Sequence, residues 1–337
     1  MTQAAASPLD PLAAARLKRD LLALGFDRVG FLAAGPVADH ARYREWLARG
    51  YAGPMRYLER QAAARRDPRA VQPWARSLVL VSLNYHLPDP GSLAPREPGR
   101  GWVSRYAWGR DYHRVLGRKL RVAGDRLLSD WGARRSRVCV DVLPLLERSL
   151  AAAAGLGWIG KNTLLIDPQL GSYCFLGALL TDLVLPPDAP VADRCGSCAA
   201  CLEACPTGAL HPSRPGWLDA RVCISTLTIE AKGAFAPATA ALLGDHVFGC
   251  DICQEVCPWN REAPSAREPD LAARPELQRP LLVELLDLDR PAFLARFAGT
   301  ALLRAGERRL ARNAQAALAN QARRSPPGAA AESPEGV

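Results

Sequence analysis

Cys195-Gly-Ser-Cys198-Ala-Ala-Cys201-Leu-Glu-Ala-Cys205-Pro206 is answered further along the chain by Cys250-Asp-Ile-Cys253-Gln-Glu-Val-Cys257-Pro258. A C-x2-C-x2-C loop wraps three thiolates around one face of a 4Fe-4S cubane. The fourth cysteine of such a run, just before a proline, ligates the other cluster in two-cluster ferredoxins. The spacing therefore groups Cys195, Cys198 and Cys201 with Cys257, and Cys250 and Cys253 with Cys205. The second set is one ligand short. Cys223, the only cysteine between the two runs, completes it, and the inventory closes at two 4Fe-4S clusters. Zinc leaves the paired Cys-Pro endings unexplained, and disulfides need an oxidising compartment. Cys139 and Cys174 stay outside both sets and read as small buried hydrophobes. An electron path follows, and the rest of the chain must say what it feeds.

The 337 residues suffice for two or three domains, each with its own core. A composition 49% hydrophobic and 23% charged is that of a soluble globular protein. The longest apolar stretch, residues 175–185, is broken by Thr181 and Asp182 and is far below membrane-spanning length. The N-terminus lacks the charged and apolar regions of an export signal, so a cytoplasmic location is expected, with no membrane partner. The formal charge of +9 favours a polyanionic partner such as nucleic acid. Arginine scattered over solvated faces is the alternative.

Residues 9–24 carry apolar side chains at helical spacing, with Gly25 where a C-terminal cap belongs. A short strand is expected over 28–33, helical structure interrupted at 50–54 over 43–66, and a strand buried on both faces over 77–85. Such a mixture indicates an α/β or α+β domain. The loop Ser104-Arg-Tyr-Ala-Trp-Gly-Arg-Asp-Tyr-His-Arg114 interleaves cations with aromatic rings, as stacking on unpaired bases requires. A core stripe of Tyr112, Leu116, Leu120 and Leu127 with arginines facing water explains it equally well. Residues 137–142 read as a strand that places Asp141 at its end. Gly155-Leu-Gly-Trp-Ile-Gly160-Lys161-Asn162 fits two nucleotide-binding patterns on paper, but a helix precedes it where both need a strand. A tight helix-to-strand turn is the better reading. Short helices are expected over 281–286, 291–297 and 302–318, the last bearing Arg304, Arg308, Arg309 and Arg312.

With these pieces placed, the chain resembles the epoxyqueuosine reductase family. The resemblance is carried by Asp141 with Pro144 and Glu147, the turn 155–162, Gly171-Ser-Tyr173, both cysteine runs, Cys223-Ile-Ser-Thr-Leu-Thr-Ile-Glu230 and the extension to Trp259-Asn260. It implies a nitroreductase-like cobalamin-binding domain over 1–190, a ferredoxin-like domain with two 4Fe-4S clusters over 191–262, and a short helical region over 263–320 related to HEAT repeats. A disordered tail is expected over 321–337. The implied reaction is reduction of epoxyqueuosine to queuosine in the anticodon stem-loop of tRNA by a monomer fed from an external electron donor. Asp141 would then be the proton donor, since its mostly apolar flanks suit a carboxyl that keeps a proton beside a corrin ring. Capping the next helix is its structural alternative. The implied cobalamin contacts are Tyr57, Asp141, Leu165, Leu176, Ser225 and Gln254. As this chain holds only the start of a repeat near Asn313, more of the tRNA contact is expected from residues 105–121. A corrinoid reductive dehalogenase and an iron-sulfur electron carrier remain alternatives. The first needs no basic surface, and the second leaves Asp141 and the large preceding domain unexplained.

Overall fold

The apolar run within residues 77–84 forms the middle of a four-stranded sheet, and every residue of that strand is buried. In a computed structural model, described for residues 8–88, 91–94 and 97–324, the strands are β1 (Arg28–Ala33), β2 (Ser77–Asn84), β3 (Trp102–Val103), β4 (Ser136–Cys139), β5 (Trp158–Ile159), β6 (Leu165–Ile166), β7 (Cys174–Thr181) and β8 (His246–Phe248). The helices are α1 (Pro11–Leu22), α2 (His40–Ala48), α3 (Arg56–Arg60), α4 (Tyr112–Asp130), α5 (Glu147–Ala153), α6 (Ala200–Glu203), α7 (Ile224–Ile229), α8 (Pro237–Leu242), α9 (Ile252–Glu255), α10 (Pro275–Gln278), α11 (Arg290–Arg296) and α12 (Glu307–Arg324). The main sheet runs β1-β2-β7-β4 with every pairing antiparallel. This order selects α+β over α/β, because a parallel sheet would need crossover helices between neighbouring strands.

β2 is apolar on both faces because helices cover both. Val79, Val81 and Leu83 share a core with Leu17 and Leu21 of α1 and Leu116 and Leu120 of α4. Leu78 and Leu80 share another with Leu150 of α5 and Leu156. The expected opening helix is present: the Asp10 carboxylate accepts the N–H groups of Leu12 and Ala13, each at 2.9 Å, and Gly25 ends it at φ +87°. β4 stops at Cys139, so Asp141 sits in the following loop and not at a strand end.

The linear division of the chain is crossed by pairing and by shared core. β3 pairs in parallel with β8, and Trp102, Val103 and Trp108 share a core with Phe248, Phe293 and Leu310. The first span therefore contributes a corner to the cluster and helical regions. Asn313 of α12, fully buried, ties these regions together by donating to the carbonyls of Thr228 (2.9 Å) and Val247 (2.7 Å). α12 continues to Arg324, so residues 321–324 of the expected tail are helical, while 325–337 and the leader 1–7 lie outside the described residues.

Part of the arginine-aromatic loop is interior, at Arg105 and Trp108, while Arg110 and Arg114 are exposed. Trp108 is fully buried and Arg105 is 5% exposed. The Arg105 guanidinium bonds Glu255 at 2.7 Å, lies 3.6 Å from Asp251, and rests against the rings of Trp102, Trp108 and Tyr173 at 5.2–5.4 Å. A buried cation this well paired is a locking element, because removing it strands two carboxylates away from water. Arg105→Met is expected to destabilise the fold by about 3–5 kcal/mol, read as a lower denaturation midpoint in urea, with tRNA affinity of the folded protein unchanged. Two arginines of α12 are likewise structural. Arg309 donates to Ile229 O at 2.6 Å, and Arg312 donates to the carbonyls of Leu227, Ala231 and Gly233 at 2.8–3.0 Å, capping the end of α7.

Candidate active site and metal centres

A cavity of about 510 Å³ opens between α2, the loop after β4 and the segment that leads into α7. Asp141, Glu147 and Arg148 line one part of it, and Cys223, Ser225 and Thr226 another. Its frame is tied across the chain: Trp46 donates to Leu218 O at 2.6 Å, Arg42 to Gly216 O at 2.5 Å, and Arg65 to Leu145 O at 2.6 Å. The two non-glycine residues with positive φ among the described residues, Asp141 (+54°) and Thr163 (+67°), both line this cavity. Left-handed backbone is costly for such side chains, above all for β-branched Thr, and strain of this kind concentrates at functional sites.

Asp141 does not cap α5, whose N-cap position is Leu146. Instead its own N–H donates to Glu147 Oε1 at 2.8 Å, and its Oδ2 accepts the Tyr112 hydroxyl at 3.0 Å. Tyr112 is in turn fixed by stacking on Phe175, centroids 4.3 Å apart and rings within 4° of parallel. Beyond it, His113 lies 2.9 Å from Asp111 and 2.7 Å from the Arg304 guanidinium, which also sits over the Tyr112 ring. The Asp141 side chain is 59% exposed to the cavity, so the protein's own atoms do not supply the desolvation expected from its flanks. The enclosed carboxyl is Glu147. Burial, and then the negative charge of Asp141, push it up to about 7, against the pull of the Asp141 N–H and the Cys139 thiol, 3.3 Å away.

Sequence reading missed both Tyr112 and Glu147 as parts of this site. Glu147 was visible only as a motif residue, and Tyr112 is 29 residues from Asp141 with no local signal linking them. The raised Glu147 has a consequence for stability. Its folded value, about 7, lies above the ordinary 4.5, so its favourable contribution is complete below about pH 4.5 and fades as pH rises through 7. Glu147→Gln cannot ionise and keeps an acceptor for the Asp141 N–H. The variant should gain thermal stability relative to the parent between pH 5 and 8, by at most about 3 kcal/mol before solvent screening. Melting curves across that range check it, and a constant difference would show that Glu147 is ionised throughout.

The cysteine sulfurs lie within electrostatic reach of one another. The Cys201 thiol is pushed up to about 11 by burial and then by the proximity of Cys257, Cys195 and Cys198. Cys253 is raised by burial and then by Cys223, Cys201 and Cys205, while Cys250 feels Cys253 and Cys223. Cys253 feels Cys201 as well as Cys223 and Cys205, so Cys201 and Cys253 lie within electrostatic reach of one another across the two expected sets. Among the described residues no three His, Cys, Asp or Glu side chains converge tightly enough to hold one bare ion. The all-sulfur donor sets suit iron-sulfur centres larger than a single ion. Cys198 is exposed, whereas Cys223 lines the cavity.

Of the other residues expected to touch a corrin, Ser225 lines the cavity. Tyr57 is 40% exposed and lies within electrostatic reach of Asp141. Leu165 is 6% exposed within the core of α5, and Leu176 packs against that core. Gln254 is buried and accepts the Ser172 hydroxyl at 3.1 Å. Tyr57, Leu165, Leu176 and Gln254 are not among the cavity's lining residues.

The family model described as epoxyqueuosine reductase QueG, DUF1730, matches residues 65–142, and that of the 4Fe-4S double cluster binding domain matches residues 194–260. An epoxyqueuosine reductase of Salmonella typhimurium is 41% identical over 309 residues, covering 91% of this chain and 80% of its own length. This chain belongs to the epoxyqueuosine reductase family. The Pseudomonas aeruginosa epoxyqueuosine reductase is 41% identical over 319 residues, covering 93% of this chain and 87% of its own. A crystal structure of epoxyqueuosine reductase with a tRNA-Tyr epoxyqueuosine-modified stem loop superposes with a TM-score of 0.82 at 34% identity, over 91% of this chain and 82% of that one. As an epoxyqueuosine reductase family member, the chain carries the first family match up to the loop of Asp141 and the second over all eight cysteines of the two expected sets, Cys223 between the two runs included.

Proposed function

We infer that this protein reduces epoxyqueuosine to queuosine in tRNA, the last step in making that nucleoside. The observation that carries the reading is the placement of Asp141 and Cys223 on one cavity, in a chain about 40% identical to epoxyqueuosine reductases over most of its length. Removing the oxygen of an epoxide to leave an alkene takes two electrons and two protons, and the oxygen departs as water. Cys195, Cys198, Cys201 and Cys257 would hold one 4Fe-4S cluster, and Cys205, Cys223, Cys250 and Cys253 the other. The cavity between Asp141 and Ser225 would hold cobalamin. When bound, the clusters relay single electrons, and the cobalt can engage the substrate carbon at a low oxidation state.

The chain's own groups manage protons and positions. Asp141 would donate the proton that lets the epoxide oxygen leave. Tyr112 aims its carboxyl by holding Oδ2, and Glu147 pins its backbone by accepting the N–H. The exposed Cys198 marks the side facing an external electron donor, and Cys223 the side facing the cavity. The stem-loop would approach past Arg304, Arg110 and Arg114, which are exposed, whereas Arg105, Arg309 and Arg312 are engaged within the fold. Among the described residues no helix is long and apolar enough to cross a membrane.

The test is anaerobic incubation of cluster-reconstituted protein with cobalamin, a chemical reductant and tRNA carrying epoxyqueuosine, followed by nucleoside mass spectrometry. Loss of one oxygen from that nucleoside is expected. Unchanged tRNA from protein that holds both clusters and a corrin would turn attention to other reducible substrates.

A further inference from the structure

The turn 155–162, whose glycines imitate nucleotide-binding loops, has a different occupation in the fold. It leads from α5 into β5 and on through the β5–β6 hairpin, and the far side of that hairpin grips the cysteine loops. Lys161 Nζ donates to Gly196 O at 2.6 Å and to Cys198 O at 2.8 Å, both on the loop that carries Cys195, Cys198 and Cys201. Trp158 Nε1 points at Cys195 Sγ from 3.5 Å, and its ring meets Trp259 edge-on at 4.9 Å, two residues after Cys257. The main chain of the hairpin takes part as well, since Lys161 O accepts the Gly216 N–H at 3.0 Å.

We propose that Lys161 sets the reduction potential of the first iron-sulfur centre by holding a fixed positive charge against its ligand loop. The proposal rests on assigning Cys195, Cys198, Cys201 and Cys257 to that centre. The argument is electrostatic. Reduction makes the centre more negative by one charge, and net charge together with hydrogen bonding around the sulfurs sets the potential of such clusters. An ammonium with two of its three donors committed to carbonyls of the ligand loop is held beside that loop. It therefore favours the reduced form and raises the potential. The ligand loop itself has no such cation to offer, since Arg194 precedes it and the residues between Cys195 and Cys205 are neutral or acidic. The charge is supplied from the other domain, so electron entry is poised only when the hairpin and the cysteine loop are docked.

The experiment compares the parent, Lys161→Met, Lys161→Gln and Lys161→Arg after anaerobic reconstitution, without tRNA or cobalamin. Iron and sulfide are counted first, and then each protein is titrated with reductant while the reduced centres are followed by electron paramagnetic resonance. Lys161→Met should keep both centres and move one of the two potentials in the negative direction, leaving the other in place. Lys161→Arg should keep both near the parent values. Raising the salt concentration should shrink the gap between parent and Lys161→Met, because a partly exposed charge is screened. Two unchanged potentials in a fully loaded Lys161→Met would overturn the proposal, as would an equal displacement in Lys161→Arg. Loss of the first centre from both Lys161→Met and Lys161→Gln, with Lys161→Arg intact, would reduce Lys161 to holding the loop and would overturn the electrostatic claim. A parent protein without two four-iron centres would sink the cluster assignment itself, and this proposal with it.

Discussion

Asp141→Asn should lose about 10²–10⁴-fold in turnover, the usual worth of a positioned general acid, while binding cobalamin and both clusters as the parent does. Three features make this substitution a clean one. The amide fills the same space as the carboxyl. Its oxygen can still accept the Tyr112 hydroxyl, which holds Asp141 Oδ2 at 3.0 Å. Asn also tolerates left-handed backbone better than almost any residue but glycine, so φ +54° at position 141 adds no new strain. Alanine would confound the result on the last two counts. The measurement is single-turnover conversion of epoxyqueuosine-bearing tRNA, read by mass spectrometry, beside the visible absorbance of bound corrin. Turnover near that of the parent would remove Asp141 from the proton path, and loss of the corrin would make its role structural.

Cys223→Ala should lose one of the two 4Fe-4S centres and with it all turnover that depends on the protein's own electron path. Cys223 is the cysteine that neither run contains, and its membership of the second set is the least local part of the ligand assignment. The fold places it at the N-terminal boundary of α7, where burial pushes its thiol up and the backbone N–H groups of Thr226 and Ser225 pull against that rise. It is also the cysteine that lines the cavity. Iron and acid-labile sulfide per chain should fall to half, and one paramagnetic signal should vanish on reduction. Cys139→Ala is the matched control, because Cys139 is buried beside Glu147 and far from either set in role. Full iron in Cys223→Ala would remove it from the ligand set, and iron loss in Cys139→Ala would reopen the whole inventory.

These two residues also mark how far local pattern reaches. Cysteine spacing encodes a cluster because the ligands of each run are a few residues apart and the short loop must wrap the same inorganic object in any context. The buried strand β2, the capped helix α1 and the turn at Gly155 were legible for the same reason: periodicity and glycine conformation act over one or two turns of chain. Arg105 shows the opposite. An arginine among aromatic rings reads as an RNA-facing side chain, and nothing within ten residues reveals that Asp251 and Glu255 arrive from about 150 residues away to bury it.

The sequence by itself determined the metal chemistry, the mixed helical and stranded architecture, and the family, since each rests on residues close together along the chain or on motifs quoted intact. Tertiary structure alone decided the antiparallel order of the sheet, the shared core that joins β3 to β8, and the partners that hold Asp141. It also decided which arginines face solvent. Such outcomes depend on which distant surfaces close against one another, and the side chains involved, Tyr112, Glu147 and Lys161 among them, are individually ordinary until a partner far along the chain meets them.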